Sequence, residues 1–202
     1  MKTKAKPKHK RGQADTRERL LKAALDIFAK QGYDAATTRG IAKKAGVNES
    51  LIHRYFESKF GLFTALTKQF RENMLSQFLS YERSESLQEE LSRFLKFRLQ
   101  YSRKDKKFFR LSLSRSILDP KVREDIQNFA TKAKPPELIE RFGQFQRQGQ
   151  IDSSVNVDSV VSIIQIFAFG LAILVDAIEC VTIEDAETLI QDIATILTRG
   201  LS

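Results

Sequence analysis

Apolar side chains recur at three- and four-residue intervals along nearly the whole chain, the spacing that gathers them on one face of a helix. From Asp15 the positions Leu21, Ala24, Leu25 and Phe28 follow this period, with Asp15 and Glu18 as a capping pair and Gly32 as the stop. The pattern predicts a short second helix from about Thr37 to Ala45 and a third from about Asn48 to Phe56. Ser58 then caps a longer helix with Phe60, Phe63, Leu66 and Phe70 on one face. Ser86 and Glu89 form a capping box ahead of Leu87, Leu91, Phe94 and Leu95. Asp119 and Pro120 open a helix through Val122, Ile126 and Phe129, and Pro135 with Pro136 opens another through Leu138, Phe142 and Phe145, stopped by Gly149. Two last helices cover roughly 157–179 and 183–200. Phe109, Leu111 and Leu113 alternate as a strand would, but a lone strand would have no partner, so helix is expected there too. The fold class is all-α.

Composition narrows the possibilities. Of 202 residues 42% are hydrophobic, enough for a proper core, and four prolines with nine glycines argue against a disordered or fibrous chain. A single cysteine, Cys180, excludes a disulfide framework or a cysteine zinc cluster, and two histidines add little more metal-binding capacity, so no metal and no cofactor is expected. No apolar stretch follows the basic N-terminus, as a secretory leader would require, so a cytoplasmic protein is expected. The formal charge is +9, and its placement is informative. Residues 1–60 carry 15 Lys/Arg against six acids, while the rest of the chain is neutral. Counterion release would draw a phosphate polymer to that end. A basic tail that only aids solubility is the plainer alternative.

The decisive stretch runs from Thr37 to Asn48. Ile41, Ala42 and Ala45 form the inner face of a short helix, Gly46 stands where a tight turn needs positive φ, and Val47 fills the gap. Asn48 caps a new helix whose Ile52 and Phe56 face inward at i, i+4. Two short helices joined by a glycine turn make a helix-turn-helix, whose second helix enters the major groove. A structural hairpin in some other helical protein is the alternative. Nothing beside His53 in sequence suggests catalysis, and no nucleophile–base spacing or Gly-rich phosphate loop is present, so the chain is not expected to be an enzyme.

Thr37 through Lys59, with Ile41-Ala42, Ala45-Gly46-Val47, Tyr55-Phe56 and Ser58-Lys59, resembles the tetracycline-repressor-like (TetR) transcriptional regulators, and Phe28 to Tyr33 fits the same pattern. The specific resemblance covers about residues 15–66. It implies that Thr38 and Lys59 hold phosphates, that Asn48, Glu49 and Ser50 open the recognition helix against bases or phosphates, and that His53, Arg54 and Tyr55 reach the backbone or base edges. The family often has lysine where Glu49 stands, glycine at Ser50 and tyrosine at His53. Glu49 is repelled by phosphate but can accept from a cytosine amino group, so it is either a specificity element or a solvated rim residue.

The expected organisation is a flexible basic arm over 1–13, a DNA-binding domain over 14–60, and an effector-binding and dimerisation domain over 61–202. The resemblance implies a small apolar or amphipathic effector held among helices, with Phe70, Phe94, Phe97, Tyr101, Phe109, Phe142, Phe145 and Phe167 as candidate lining; any one of these rings could instead be plain core. Residues 160–175 are apolar on all sides, but the run is shorter than the about 20 residues of a membrane span. It is therefore expected to be covered partly by its own domain and partly by a second subunit. Val161, Ile164 and Ala168, with Leu189, Ile193 and Leu197 of the last helix, are the candidate homodimer interface. Together these readings describe a ligand-responsive repressor on a palindromic double-stranded operator, with a small all-α enzyme and an architectural DNA binder as the competing classes.

Overall fold

The computed structural model describes residues 8–77, 80–132 and 136–202. Every regular element among them is helical: α1 (Lys8–Gln31), α2 (Thr38–Ala45), α3 (Ser50–Phe56), α4 (Lys59–Gln77), α5 (Leu87–Lys104), α6 (Lys106–Leu118), α7 (Pro120–Lys132), α8 (Pro136–Arg147), α9 (Val157–Ala172), a π-helical turn (Ile173–Ala177) and α10 (Ile183–Leu201). The strand-like Phe109, Leu111 and Leu113 lie in α6. The side chain of Phe129, Pro135, and residues 1–7 of the expected arm lie outside the described residues.

The helix starts show which local signals acted. Ser58 Oγ accepts from Gly61 N at 3.1 Å, Asp119 Oδ1 from Lys121 N at 3.0 Å, Asn156 Oδ1 from Ser159 N at 3.0 Å and Thr182 Oγ1 from Asp185 N at 3.1 Å, each satisfying an orphan amide of a first turn. Two expected starts differ. α1 begins at Lys8, so Asp15 and Glu18 are interior and residues 8–13 of the expected arm are helical. Lys, Arg, Gln and Ala are good helix formers, and extending an existing helix needs no new nucleus. Ser86 makes no side-chain cap. Its amide is instead accepted by Ser84 Oγ (3.2 Å), whose hydroxyl donates to Glu89 Oε2 (2.6 Å), and Leu87 N is taken by Gln150 Oε1 (2.8 Å).

The chain divides into two compact units, one of residues up to Ser76 with Arg110–Arg115, the other of Gln77–Phe109 with Ser116–Ser202. The division after Ser76, rather than after residue 60, follows from α4. Leu62, Phe63 and Leu66 are buried, and Phe63 meets the Tyr33 ring edge-on at 5.6 Å. The first unit's core is Leu20, Leu21, Ala24 and Phe28 of α1, Ile41, Ala42 and Ala45 of α2, and Ile52 and Phe56 of α3.

In the second unit α9 and α10 pack on α5, and α8 packs on α9. A buried ion pair ties α5 to α8: Arg141 lies 3.2 Å from the fully buried Glu90, which also accepts from Tyr81 Oη (2.7 Å) and Ser84 N (2.9 Å). Burial, then the Glu90 charge, pushes the Tyr81 hydroxyl well above its usual range.

Two expectations about this unit need correction. Phe94, Phe142 and Phe145 have no exposed surface and pack as core, Phe142 against Phe145 at 6.1 Å, so they line no opening. Tyr101 is buried with its hydroxyl pushed up to about 12 by burial and then by Asp105. Phe97 and Phe109 are half-buried, Phe167 is on the surface, and Phe70 belongs to the first unit. Likewise Val161, Ile164 and Ala168 are buried within their own chain and cannot meet a partner. The exposed large apolar residues of α9 are Ile163, Ile166, Phe167 and Phe169; on α10 Leu189 is exposed, and Ile193 and Leu197 are half-buried. The run is also longer than its apolar core suggested. By length and composition Val157–Ala177 could cross a membrane, yet 44% of its most apolar stretch is buried inside the chain, and its penultimate residue, Asp176, is buried and accepts from Ser102 Oγ at 2.7 Å.

Candidate nucleic-acid interface

The turn between α2 and α3 is built by hydrogen bonds that the sequence specifies. Thr37 is extended, and its Oγ1 accepts from Gly40 N at 3.1 Å to open α2. At the other end Gly46 takes φ +66°, Val47 N reaches Ala42 O at 3.1 Å and Gly46 N reaches Lys43 O at 3.2 Å. This is the Schellman arrangement, which needs a residue free of Cβ cost at its left-handed position. Arg19 of α1 adds Nη2 donation to Ala45 O (2.5 Å) and Gly46 O (3.2 Å), and its guanidinium lies 3.0 Å from where a Gly46 Cβ would stand. Asn48 Oδ1 then accepts from Ser50 N at 2.9 Å and starts α3. α3 ends at Glu57, which holds φ +66°, followed by Gly61, where a Cβ would sit 1.7 Å from Phe56 O.

Ile52 and Phe56 anchor the inner side of α3, and Asn48, Ser50, His53 and Arg54 are exposed on its other side. The Tyr55 ring is half-buried, edge-on to Phe56 at 6.4 Å, with the Arg54 guanidinium 6.0 Å from it. His53 Nδ1 is 3.1 Å from Glu57 O; a carbonyl only accepts, so Nδ1 carries the proton and Nε2 is the free end.

Two residues expected at phosphates turn inward. Lys59 Nζ donates to Tyr33 O (3.0 Å), Asp34 O (3.1 Å) and Ala36 O (3.0 Å). An ammonium has three protons, so all are used on the α1–α2 loop, and the charge also lies 4.6 Å from the Tyr33 ring. Thr38 Oγ1 donates to Glu49 Oε1 at 2.5 Å. No local signal marks Arg115 as a partner of this loop: its Nη1 donates to both carboxylate oxygens of Asp34 (3.0 and 3.1 Å), and its guanidinium lies 4.3 Å from the Tyr33 ring. Arg19 was missed too, although a basic residue one helix earlier is the natural partner for the α2 C-terminal carbonyls.

The profile of the bacterial regulatory proteins, tetR family, matches residues 20–66, which hold α2, α3 and the turn between them. Over these residues the chain is similar to the DNA-binding segment of the TetR family. Its DNA-binding segment is 47% identical over 58 residues to YvkB of Bacillus subtilis, named as an uncharacterized HTH-type transcriptional regulator; that is 29% of this chain and 31% of YvkB. It is 36% identical over 62 residues to FasR of Mycolicibacterium smegmatis, an HTH-type transcriptional activator, covering 31% of this chain and 28% of FasR. The match thus spans about a third of the length of either curated relative. The likeness of fold extends further. GusR of Salmonella enterica superposes with a TM-score of 0.71 at 20% identity, covering 91% of this chain and 95% of GusR. The shared fold is an N-terminal helix-turn-helix followed by a helical C-terminal part.

Proposed function

We propose that this chain is a TetR-family homodimeric repressor that holds a palindromic operator through α2 and α3 and is released by a small apolar or amphipathic molecule bound in the helical second unit. The observation that carries the DNA reading is the α2–α3 pair: a rigid turn, an apolar inner side, and exposed polar side chains of α3 toward a groove. Asn48, Ser50, His53, Arg54 and Tyr55 are the groove and backbone candidates. Arg39 and Lys43, exposed on α2, are better phosphate candidates than Lys59.

Ile163, Ile166 and Phe167 fall at i, i+3, i+4 on the outer side of α9, and Leu189 and Ile196 at i, i+7 on α10. Such an apolar surface marks an interface, and a second copy about a two-fold axis covers the same patch on both chains. Half-sites about 34–36 Å apart, or a multiple, follow from that symmetry. The effector reading is supported by the second unit offering both half-buried rings, Phe97 and Phe109, and buried polar groups, Ser102 and Asp176.

The experiment is selection of genomic fragments on the purified protein, followed by affinity measurements on the enriched and on random duplexes at two salt concentrations, and by transcription from the enriched promoter. Enrichment of a two-fold symmetric site and reduced transcription are expected. Equal affinity for all duplexes would instead make the chain an architectural binder, and raised transcription would place it with activators such as FasR.

A further inference from the structure

We infer that Thr38 is a positioning residue for Glu49, and that Glu49 reads the amino group of a base, cytosine N4 first among them, from the start of α3. This rests on the DNA-binding reading above and sharpens it. Thr38 is the first residue of α2 and Glu49 directly precedes α3, so their bond at 2.5 Å spans the turn between the two helices and is part-buried.

The proton count decides what each group can do. A threonine hydroxyl has one proton, and here Glu49 holds it. What remains on Thr38 Oγ1 is lone pairs, which a phosphate oxygen cannot use. The Glu49 carboxylate has a second oxygen, and an ionised carboxylate only accepts. Facing the major groove it can pair with cytosine N4 or adenine N6, and not with guanine O6 and N7 or with thymine O4. A carboxylate fixed in this way rejects acceptors as firmly as it accepts an amino group.

The same geometry argues against a solvated rim glutamate. A rim side chain keeps its rotamers; this one is tied down by a charge-assisted bond from the neighbouring helix. Its backbone is fixed on one side by the Asn48–Ser50 turn and on the other by Ile52 N donating to Glu49 O at 2.9 Å. Glu49 and His53 are i, i+4, hence on one side of α3, and His53 is exposed with Nε2 as its free end. Two groove-facing groups are therefore each held by an internal hydrogen bond before DNA arrives.

The test profiles the full-length protein and its variants on a library of randomised duplexes, with affinity for a random duplex measured against salt. Glu49→Ala is expected to lose about tenfold preference at one base pair per half-site, as a lost base contact does. Thr38→Val is expected to relax the same base pair, with non-specific affinity and salt slope unchanged; Thr38→Ser restores the preference, and Thr38→Val with Glu49→Ala matches Glu49→Ala alone. Glu49→Gln keeps an acceptor for Thr38 and adds a donor, so preference shifts toward adenine, which offers N7 and N6; this arm stands even where Thr38→Val does not fold. A Thr38→Val protein that binds every sequence more weakly, with a shallower salt slope, overturns the proposal in favour of a phosphate contact. Parental preferences in Glu49→Ala overturn it in favour of a rim residue. A parent chain with no base preference anywhere overturns the DNA reading itself, and the proposal with it.

Discussion

Lys59→Met separates a loop staple from a phosphate contact. The change keeps most of the aliphatic stem and removes the ammonium that now serves three carbonyls of the α1–α2 loop. A hydrogen bond to a charged group contributes on the order of 1.5–3 kcal/mol when it stands alone. Three bonds to one ammonium are not three independent contributions. Asp34 is at the surface, where water replaces the donor, whereas Ala36 is only 2% exposed, which leaves its carbonyl with fewer alternatives. The ring of Tyr33 at 4.6 Å adds a partly exposed cation–π contact of about 0.5–1 kcal/mol. The sum expected is about 2 kcal/mol, which for a chain of this length lowers Tm by roughly 4–8 °C. Calorimetry on the variant measures it directly.

The salt dependence of DNA binding supplies the contrast. Each phosphate contact contributes about −0.9 to the slope of log affinity against log salt. With Lys59 turned into its own loop, Lys59→Met leaves that slope unchanged and weakens binding only as far as the loop loosens. A variant with parental Tm and a slope shallower by about 0.9 per subunit would refute the reasoning and return Lys59 to the phosphate backbone.

Three further outcomes follow from burial and contact. Ile166→Asp, at a site 70% exposed, is expected to leave the fold of the chain intact and shift light scattering from dimer to monomer, whereas Val161→Asp, fully buried, is expected to cost several kcal/mol of stability through an unpaired core charge. Arg141→Met leaves Glu90 buried with only neutral donors and should destabilise by about 3–5 kcal/mol in denaturant unfolding; Arg141→Met with Glu90→Leu should recover much of it. Gly61→Ala sets a Cβ 1.7 Å from Phe56 O and forces the start of α4 away from the end of α3, at the upper end of overpacking costs, about 3 kcal/mol, read as a lower midpoint of chemical denaturation.

Much of the fold was legible because it rests on local rules. The period of Leu21, Ala24 and Phe28, the Asn48 side chain that accepts from the first amide of α3 and the positive φ of Gly46 each act within a turn or two of chain, and each stands in the structure as the sequence implied. Non-local effects were illegible. Gly61 reads as an ordinary helical glycine until the carbonyl of Phe56 is seen against it. Helix α9 is the clearer case. A helix apolar on every side carries no period to tell inside from outside, so Val161 and Ile166 look alike in sequence. The packing of α5 and α8 decides that Val161 is core and Ile166 is surface.

The same limit governs the polar residues of the interface, and it bears directly on how motif resemblance should be used. A lysine at the start of α4 and a threonine at the start of α2 have the right chemistry for phosphate, and spacing alone places them near the groove. Chemistry fixes what a group can donate, not to whom. Lys59 finds three carbonyls within 3.1 Å because the α1–α2 loop folds back over it, and Thr38 finds Glu49 because this chain has an acid where the family often has a lysine. With lysine at that position Thr38 would have no internal acceptor and its proton would be available to phosphate. On the reading proposed above, an acid just before α3 makes a residue eleven positions earlier a positioning group for a base contact rather than a backbone contact, and the departure from the motif then carries more information about specificity than the motif itself.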